Sequence, residues 1–434
     1  MKRVVIVGGG FAGLTCARKL ASHRNVHVTL IDKNNYSQFQ PLLYQVATAM
    51  LAPGNAAFSL RALLRRHANV DFKMAEVVSA NLETRAVETA GGKTYQGDFL
   101  VLAAGARANF FATPGADEHA FALYSLDDAE LLRSRVLTLL ESVDRDPPLI
   151  DRGALNFVVV GAGPTGVEIA GALGGLTQRV LKNMYSELDM TRAQIYLVDI
   201  GHTVLNGFSR KSQEYATRKL KQDGVQILLG VAVKEVHPGH VLLSDGTRIL
   251  THTAIWAGGL RASPLSGALG VQPGRGGRID VQPDFSVKGF PGVYALGDFA
   301  NIAGADGKPL PQLASVAQQA GKYCARNIAA LIAGKPGKPF KYFDKGIMAM
   351  IGRNAAVAEL GERRFEFTGP IAFAAWLGVH ALLLVPTRAR IEAFIEWAWV
   401  YFGGSYIAPV LDRPEQVTVN WHEDEEKELL RAKS

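Results

Sequence analysis

One arrangement occurs twice in this chain and constrains its fold more than any other feature. Val4-Val5-Ile6-Val7 is a short, wholly apolar run that leads into Gly8-x-Gly10-x-x-Gly13. Phe157-Val158-Val159-Val160 leads in the same way into Gly161-x-Gly163-x-x-Gly166. Such runs read as buried parallel strands, and the residues after each glycine set read as a helix. The three glycines have separate duties. The first permits a tight turn, the second lets a pyrophosphate approach the backbone, and the third lets the helix pack close to the strand. The phosphates then meet the unpaired N–H groups and the positive dipole end of the helix. An acid at the tip of the next strand completes the pattern by accepting from a ribose hydroxyl. Val28-Thr29-Leu30-Ile31 ends in Asp32, and Ile195-Tyr196-Leu197-Val198 ends in Asp199. Asp32 lies 24 residues after Gly8 and Asp199 lies 38 after Gly161, the excess being a longer helix and loop over residues 176–192. Two nucleotide-containing cofactors held by two related α/β domains are expected. A free carboxylate at Asp199 repels a 2′-phosphate, which predicts NADH rather than NADPH at the second site.

Composition agrees with this reading. A chain of 434 residues, 48% hydrophobic and 20% charged, is long enough for two or three domains with large cores. The net charge of +7 favours acidic partners. No Lys/Arg run with interleaved aromatics is present, so an anionic membrane surface is expected rather than nucleic acid. The two cysteines, Cys16 and Cys324, each fall inside a predicted helix, with no C-x-x-C pair and no metal-ligand spacing. A reduced, cytosolic setting without a metal is expected. Met1-Lys2-Arg3 runs at once into the first strand, so no cleavable signal peptide is expected.

Between the fingerprints, Pro41 sets a turn within 36–50 and a short core-seeking helix follows. Residues 70–102 are β-like, and Phe99-Leu100-Val101-Leu102 ends in the small residues Ala103, Ala104 and Gly105. Ser125 to Val143 reads as a helix with a serine cap and acids in its first turn. Further β segments are expected over 225–250. Thr253-Ala254-Ile255-Trp256 ends in Ala257-Gly258-Gly259, echoing the strand at 99–102. Gly292-Val293-Tyr294-Ala295-Leu296-Gly297-Asp298 places another acid at a strand tip, where it can accept from a ribityl hydroxyl or cap an Asx turn. A helix from near Leu313 to Leu331, capped by Pro311-Gln312, follows; its dipole favours the reduced, anionic form of a ring at its N-terminus.

The last hundred residues differ in kind. A Gly/Pro/Lys linker over 334–339 leads to the apolar stretch 346–352. Residues 371–385 are almost wholly apolar, but 15 residues fall short of the ~20 that a spanning helix needs. Residues 388–402 carry Ile391, Phe394, Ile395, Ala398, Trp399 and Phe402 at helical spacing. With Trp376, Trp397, Tyr401 and Tyr406 nearby, this composition fits a helix lying in a membrane interface, or a buried dimer or core region.

The two glycine fingerprints, the Val-Tyr-Ala-x-Gly-Asp strand and the Ala-Ala-Gly-Ala strand end resemble the flavoprotein reductases with two dinucleotide-binding domains. Within them, 39–48, the helix after Gly297-Asp298, and 346–411 resemble type II NADH dehydrogenase, the single-chain NADH:quinone oxidoreductase. The resemblance implies an α/β fold of two Rossmann-like domains, for FAD and NAD, plus a C-terminal amphipathic membrane-associating segment. The expected division is an FAD domain in two parts (1–115 and 263–335), an NADH domain (116–262) and an anchoring region (336–434). It further implies FAD against Gly8, Gly10, Phe11, Ala12, Gly13, Asp32, Lys33, Thr48, Ala104, Gly105, Asp298, Ala317 and Gln318. NADH is implied against Gly161, Gly163, Pro164, Thr165, Gly166, Asp199 and Gly258. Glu168 and Gln319 would be catalytic, with Glu168 near flavin and nicotinamide; an acid in a helix's first turn is its plainer reading. The quinone motif Ala-Gln-x-Ala-x-Gln here reads Ala314-Ser315-Val316-Ala317-Gln318-Gln319, so Ser315 and Gln319 would face the quinone, with the shorter Ser315 replacing a glutamine. A homodimer, peripheral on the cytoplasmic face of the cell membrane and pumping no protons, is expected. Disulfide reductases and sulfide:quinone oxidoreductases need reactive cysteines that this chain lacks. A soluble NADH reductase of another acceptor, and a flavin-bound redox sensor or scaffold, are the alternatives.

Overall fold

Each glycine turn lies at the C-terminal end of the middle strand of its own five-stranded parallel sheet. The first sheet runs in the order Val293–Ala295, Phe99–Leu102, Lys2–Val7, Val26–Asp32, Val70–Met74. The second runs Ala120–Ala122, Thr253–Trp256, Asn156–Val160, Gln194–Asp199, Val225–Leu229. The arrangement repeats in detail, with the acid-tipped strand on one side of the middle strand and the strand ending in small residues on the other. Val7 pairs with Ile31 and Leu102, and Val160 with Val198 and Trp256. This register sets Asp32 level with Gly8 and Asp199 level with Gly161.

This computed structural model describes residues 1–181, 184–304, 307–403, 409–419 and 421. The chain forms two units. One comprises Met1–Gln38, Ala57–Arg107 and Leu260–Lys345; the other comprises Phe39–Ala56, Ala108–Gly259 and the chain from Gly346 onward. In chain order the helices that bear on the site are α1 (Phe11–Leu20), α2 (Leu43–Ala47), α3 (Leu126–Arg145), α4 (Pro164–Gly175), α5 (Ala314–Ile332), α6 (Pro370–Leu383) and α7 (Thr387–Gly403).

In the first unit, α1 packs on α5. A Cβ on Gly321 would come inside 3.0 Å of the Ala12 carbonyl, so only glycine allows this approach. Cys16 and Cys324 meet across that contact, both wholly buried, and their thiols are hydrogen-bonded. Burial first, and the neighbouring thiol second, pushes Cys324 well above the ordinary thiol range, so that thiol stays protonated. The start of α5 differs from expectation. Its N-cap is Leu313, with no side-chain cap, and Gln312 Nε2 donates instead to the Asp298 carbonyl at 3.2 Å.

In the second unit, α3 opens with a capping box: Ser125 accepts from the Asp128 N–H, and Asp128 accepts from the Ser125 N–H. The C-terminal strands Gly346–Gly352, Ala355–Leu360 and Phe365–Thr368 form an antiparallel sheet. Gly171 of α4 lies against the Ile351 carbonyl, where a side chain would not fit. Residues 39–56 and 346–403 thus fold with the second sheet, although the sequence motifs divide the chain otherwise. Among the described residues no helix is long and apolar enough to cross a membrane. Tyr406 lies outside the described residues.

Candidate active site

The first turn is built by contacts that exclude side chains. A Cβ on Gly8, whose φ is +100°, would strike the Ala103 carbonyl, and one on Gly13 would strike the Gly8 carbonyl. A Cβ on Gly10 would meet nothing within 4 Å. The middle glycine therefore faces open space at the start of α1, which has no side-chain cap. Asp32 closes the turn: Oδ2 accepts from the Gly9 N–H at 2.6 Å and Oδ1 from the Asn34 N–H at 2.7 Å. Burial raises its pKa, and those two hydrogen bonds oppose the rise. Each carboxylate oxygen keeps a further lone pair for a hydroxyl. Phe11 and Ala12 begin α1, and Lys33 is exposed beside Asp32. Ala104 and Gly105 follow the adjacent strand, and Asp298 sits in a short 3-10 turn after Val293–Ala295. A Cβ on Gly297 would lie 3.2 Å from that of Ala12 and 3.6 Å from that of Ala317. The starts of α1 and α5 thus converge on one end of the first sheet, with Gln318 on the same turn as Ala317. Thr48 belongs to the second unit, and its hydroxyl donates to the Tyr44 carbonyl at 2.9 Å.

The second turn repeats this construction. Gly161 has φ +105° and abuts Ala257 and Gly258, Gly166 lies on the Gly161 carbonyl, and Gly163 faces open space. Pro164 and Thr165 lead the first turn of α4 and are exposed. Asp199 accepts from the Ala162 N–H at 2.5 Å and the Gly201 N–H at 2.6 Å. Gly258 lies beside the Trp256 indole, whose Nε1–H donates to the Asn109 carbonyl at 2.7 Å.

Glu168 sits in the second turn of α4, not the first. It lines a largely apolar cavity of about 450 Å³ with Tyr44, Gln45, Met350, Phe373, Leu377 and Trp397. The Met350 N–H donates to Glu168 Oε1 at 3.1 Å. Burial drives its pKa up to about 8, against smaller lowering by that hydrogen bond and the nearby Trp376 indole. Glu168 therefore carries a proton near neutral pH. His380 stacks on Trp376 at 3.8 Å between ring centroids, and burial pulls its pKa down to about 4, so it is neutral.

In the first unit, Ser315 Oγ lies 3.0 Å from the Tyr342 hydroxyl. The Gln319 carboxamide is committed to backbone: Nε2 donates to the Phe343 carbonyl at 2.9 Å, and Oε1 accepts from the Phe343 N–H at 3.1 Å.

The family pattern described as pyridine nucleotide-disulphide oxidoreductase matches residues 2–321. The type II NADH:quinone oxidoreductase Ndh of Mycobacterium tuberculosis is 38% identical, over 91% of this chain and 87% of its own. The chain belongs to the type II NADH:quinone oxidoreductases, within the pyridine nucleotide-disulphide oxidoreductase family. A type II relative from Haemophilus influenzae is 28% identical, covering 88% of this chain and 93% of its own. The structure of NDH2 from Plasmodium falciparum in complex with NADH superposes with a TM-score of 0.85 at 20% identity, covering 94% and 99% of the two chains; at that identity it attests the fold.

Several features of this type II chain carry no sequence signal. The cavity is one. Another is the buried pair in which Trp397 Nε1–H donates to Gln45 Oε1 at 2.8 Å, while Gln45 Nε2 donates to the Tyr44 hydroxyl at 3.0 Å. Its partners stand 352 residues apart, so neither local period nor spacing joins them.

Proposed function

We propose that the protein oxidises NADH and reduces a membrane quinone to the quinol, with FAD at the first turn and NADH at the second. The observation that carries this reading is that both turns have the same form, with a middle glycine facing open space at a helix start without a side-chain cap and a strand-tip carboxylate still able to accept. In stoichiometric terms NADH, a quinone and one proton give NAD⁺ and a quinol. When bound, FAD would supply the two-electron chemistry that links NADH oxidation to quinone reduction. The chain's residues bind, orient and move protons. Gly8, Gly10, Phe11, Ala12 and Gly13 cradle the FAD pyrophosphate, with Asp32 and Lys33 at the ribose. Thr48, Ala104, Gly105, Asp298, Ala317 and Gln318 are our remaining FAD contacts. Gly161, Gly163, Pro164, Thr165, Gly166, Asp199 and Gly258 hold NADH, and Asp199 selects it over NADPH.

Glu168 is our proton donor. A carboxyl that keeps its proton to about pH 8 at an apolar cavity has one to give as negative charge grows on an acceptor. The cavity suits a quinone's apolar tail. Ser315 is our quinone-facing polar residue in the first unit, with Gln319 one turn on holding the Phe343 backbone. We further propose a homodimer, peripheral on the cytoplasmic face of the cell membrane, that pumps no protons. Exposed Ile371, Leu382, Ile391, Ile395, Trp399 and Phe402 on α6 and α7 support the membrane contact. The test is anaerobic. Purified protein should show a yellow flavin spectrum that NADH bleaches and a short-chain quinone restores. A colourless protein, or a flavin indifferent to NADH, refutes the reading.

A further inference from the structure

Two phenylalanines stand side by side in the second unit, and only one of them is packed away. The Phe110 ring lies on the Trp256 indole, 5.5 Å between ring centroids. The Phe111 ring is 63% exposed. Phe111 has φ +51° and Ala112 has φ +56°, two successive left-handed residues that carry side chains. A bulky residue rarely adopts that conformation, and such strain persists only where the surroundings fix it. Asn109 fixes it here. Its N–H donates to the Gly259 carbonyl at 3.0 Å, its carbonyl accepts from Trp256 Nε1–H at 2.7 Å, and its Oδ1 accepts from the Phe111 N–H at 3.1 Å. The Thr113 N–H then closes the turn on the Phe110 carbonyl at 2.9 Å. The exposed ring is thereby held over Gly259, where an added Cβ would come within 3.1 Å of Phe111 Cζ.

Gly258 and Gly259 follow the strand Thr253–Trp256. That strand flanks the middle strand Asn156–Val160 on the side away from Gln194–Asp199. With a ribose on Asp199 and the pyrophosphate over Gly163, the adenosine half of a dinucleotide occupies the Asp199 side. A dinucleotide lies across the C-terminal edge of such a sheet. Its nicotinamide half therefore reaches the end of Thr253–Trp256, beside Gly258 and Gly259. We infer that Phe111 is a binding residue for the nicotinamide half of NADH, its ring being the aromatic wall against which the nicotinamide packs. The inference rests on the reading of the second turn as the NADH site. Flat rings gain from offset or edge contact beyond the area that they bury. A ring already held in place by its backbone makes that contact without first having to be ordered.

The test uses the full-length holoprotein and two probes, NADH and ADP-ribose. ADP-ribose has the adenosine and the pyrophosphate but no nicotinamide, so it reports on the other half of the site alone. Phe111→Ala should raise the NADH concentration for half-maximal flavin reduction in rapid mixing about 3- to 10-fold, the scale of one aromatic contact. Inhibition of that reduction by ADP-ribose should be unchanged. Phe111→Leu, of similar bulk but without a ring, should also raise the NADH requirement, and it decides the matter if Phe111→Ala folds poorly. Phe111→Tyr, which keeps the ring, should match the wild type with both probes. An unchanged NADH requirement in either variant that lacks the ring, a parallel weakening of NADH and ADP-ribose, or a tyrosine variant no better than alanine overturns the inference alone. A wild type whose flavin NADH does not reduce overturns the underlying reading, and this inference with it.

Discussion

Glu168 is the residue at which burial and chemistry are most directly linked. Its pKa of about 8 stands above the ordinary carboxyl value because the charged form loses water. For an acid raised in the folded state, the native protein binds more protons than the unfolded chain between the two pKa values. Stability is therefore highest below about pH 4.5 and falls as pH climbs to about 8, by at most about 5 kcal/mol. Glu168→Gln removes this slope. The variant's unfolding midpoint should match the wild type near pH 5 and exceed it at pH 9, as measured by thermal melts across that range. The same substitution should abolish an inflection near pH 8 in quinone turnover while NADH still reduces the flavin. Asp199 offers a second test. Both its oxygens already hold the turn, so Asp199→Asn, which keeps one acceptor oxygen and removes the charge, is cleaner than alanine. It should lower the ratio of kcat/KM for NADH over NADPH about tenfold, one lost charged hydrogen bond's worth. An unchanged ratio would exclude Asp199 as the selector.

At the scale of elements, the glycine turns separate folding from binding. Gly166 lies on the Gly161 carbonyl, whereas Gly163 has no neighbour within 4 Å of an added Cβ. Gly166→Ala should destabilise the second unit, seen as a lower denaturation midpoint. Gly163→Val should fold with a near-normal midpoint yet raise the NADH KM more than tenfold, because its side chain fills the space a pyrophosphate needs. These elements were legible in sequence because their reasons are local: an apolar run, a glycine spacing, an acid at a fixed offset. The helix of α3 was legible through the serine at its cap. The cavity was not, since Tyr44, Glu168, Met350 and Trp397 come from four distant stretches. Nor was the placement of residues 39–56 with the second sheet, which rests on long-range contacts such as Gln45 with Trp397. Ser315 and Gln319 were identified as residues, but the tyrosine and backbone that engage them lie 24 to 27 residues onward across a Pro/Gly-rich linker.

At the scale of the molecule, the chain must bring a water-soluble reductant and a lipid-soluble acceptor to one protein. Helices α6 and α7 are apolar on two sides. Trp376, Ala393 and Trp397 are buried in the second unit, while Ile371, Leu382, Ile391, Ile395, Trp399 and Phe402 face outward, with Phe402 83% exposed. The same two helices line the cavity through Phe373, Leu377, Phe394 and Trp397. If, as we propose, the outward face lies in lipid, the other face on an apolar cavity would let a quinone enter without crossing water. Truncation at Ile371 is a poor test of this, because it also removes the buried Trp376 and Trp397 and unmakes the core. Substituting Leu382, Ile391 and Ile395 together with serine removes only outward groups that do not line the cavity. Each such side chain contributes up to ~1.5–3 kcal/mol when fully withdrawn from water. Even partial immersion of three should weaken binding to anionic vesicles on the order of 100-fold. The triple variant should stay in the supernatant when vesicles are pelleted, with NADH turnover by a water-soluble quinone retained and turnover by a long-chain quinone in vesicles lost. Co-sedimentation equal to the wild type's would place the membrane contact elsewhere on the chain.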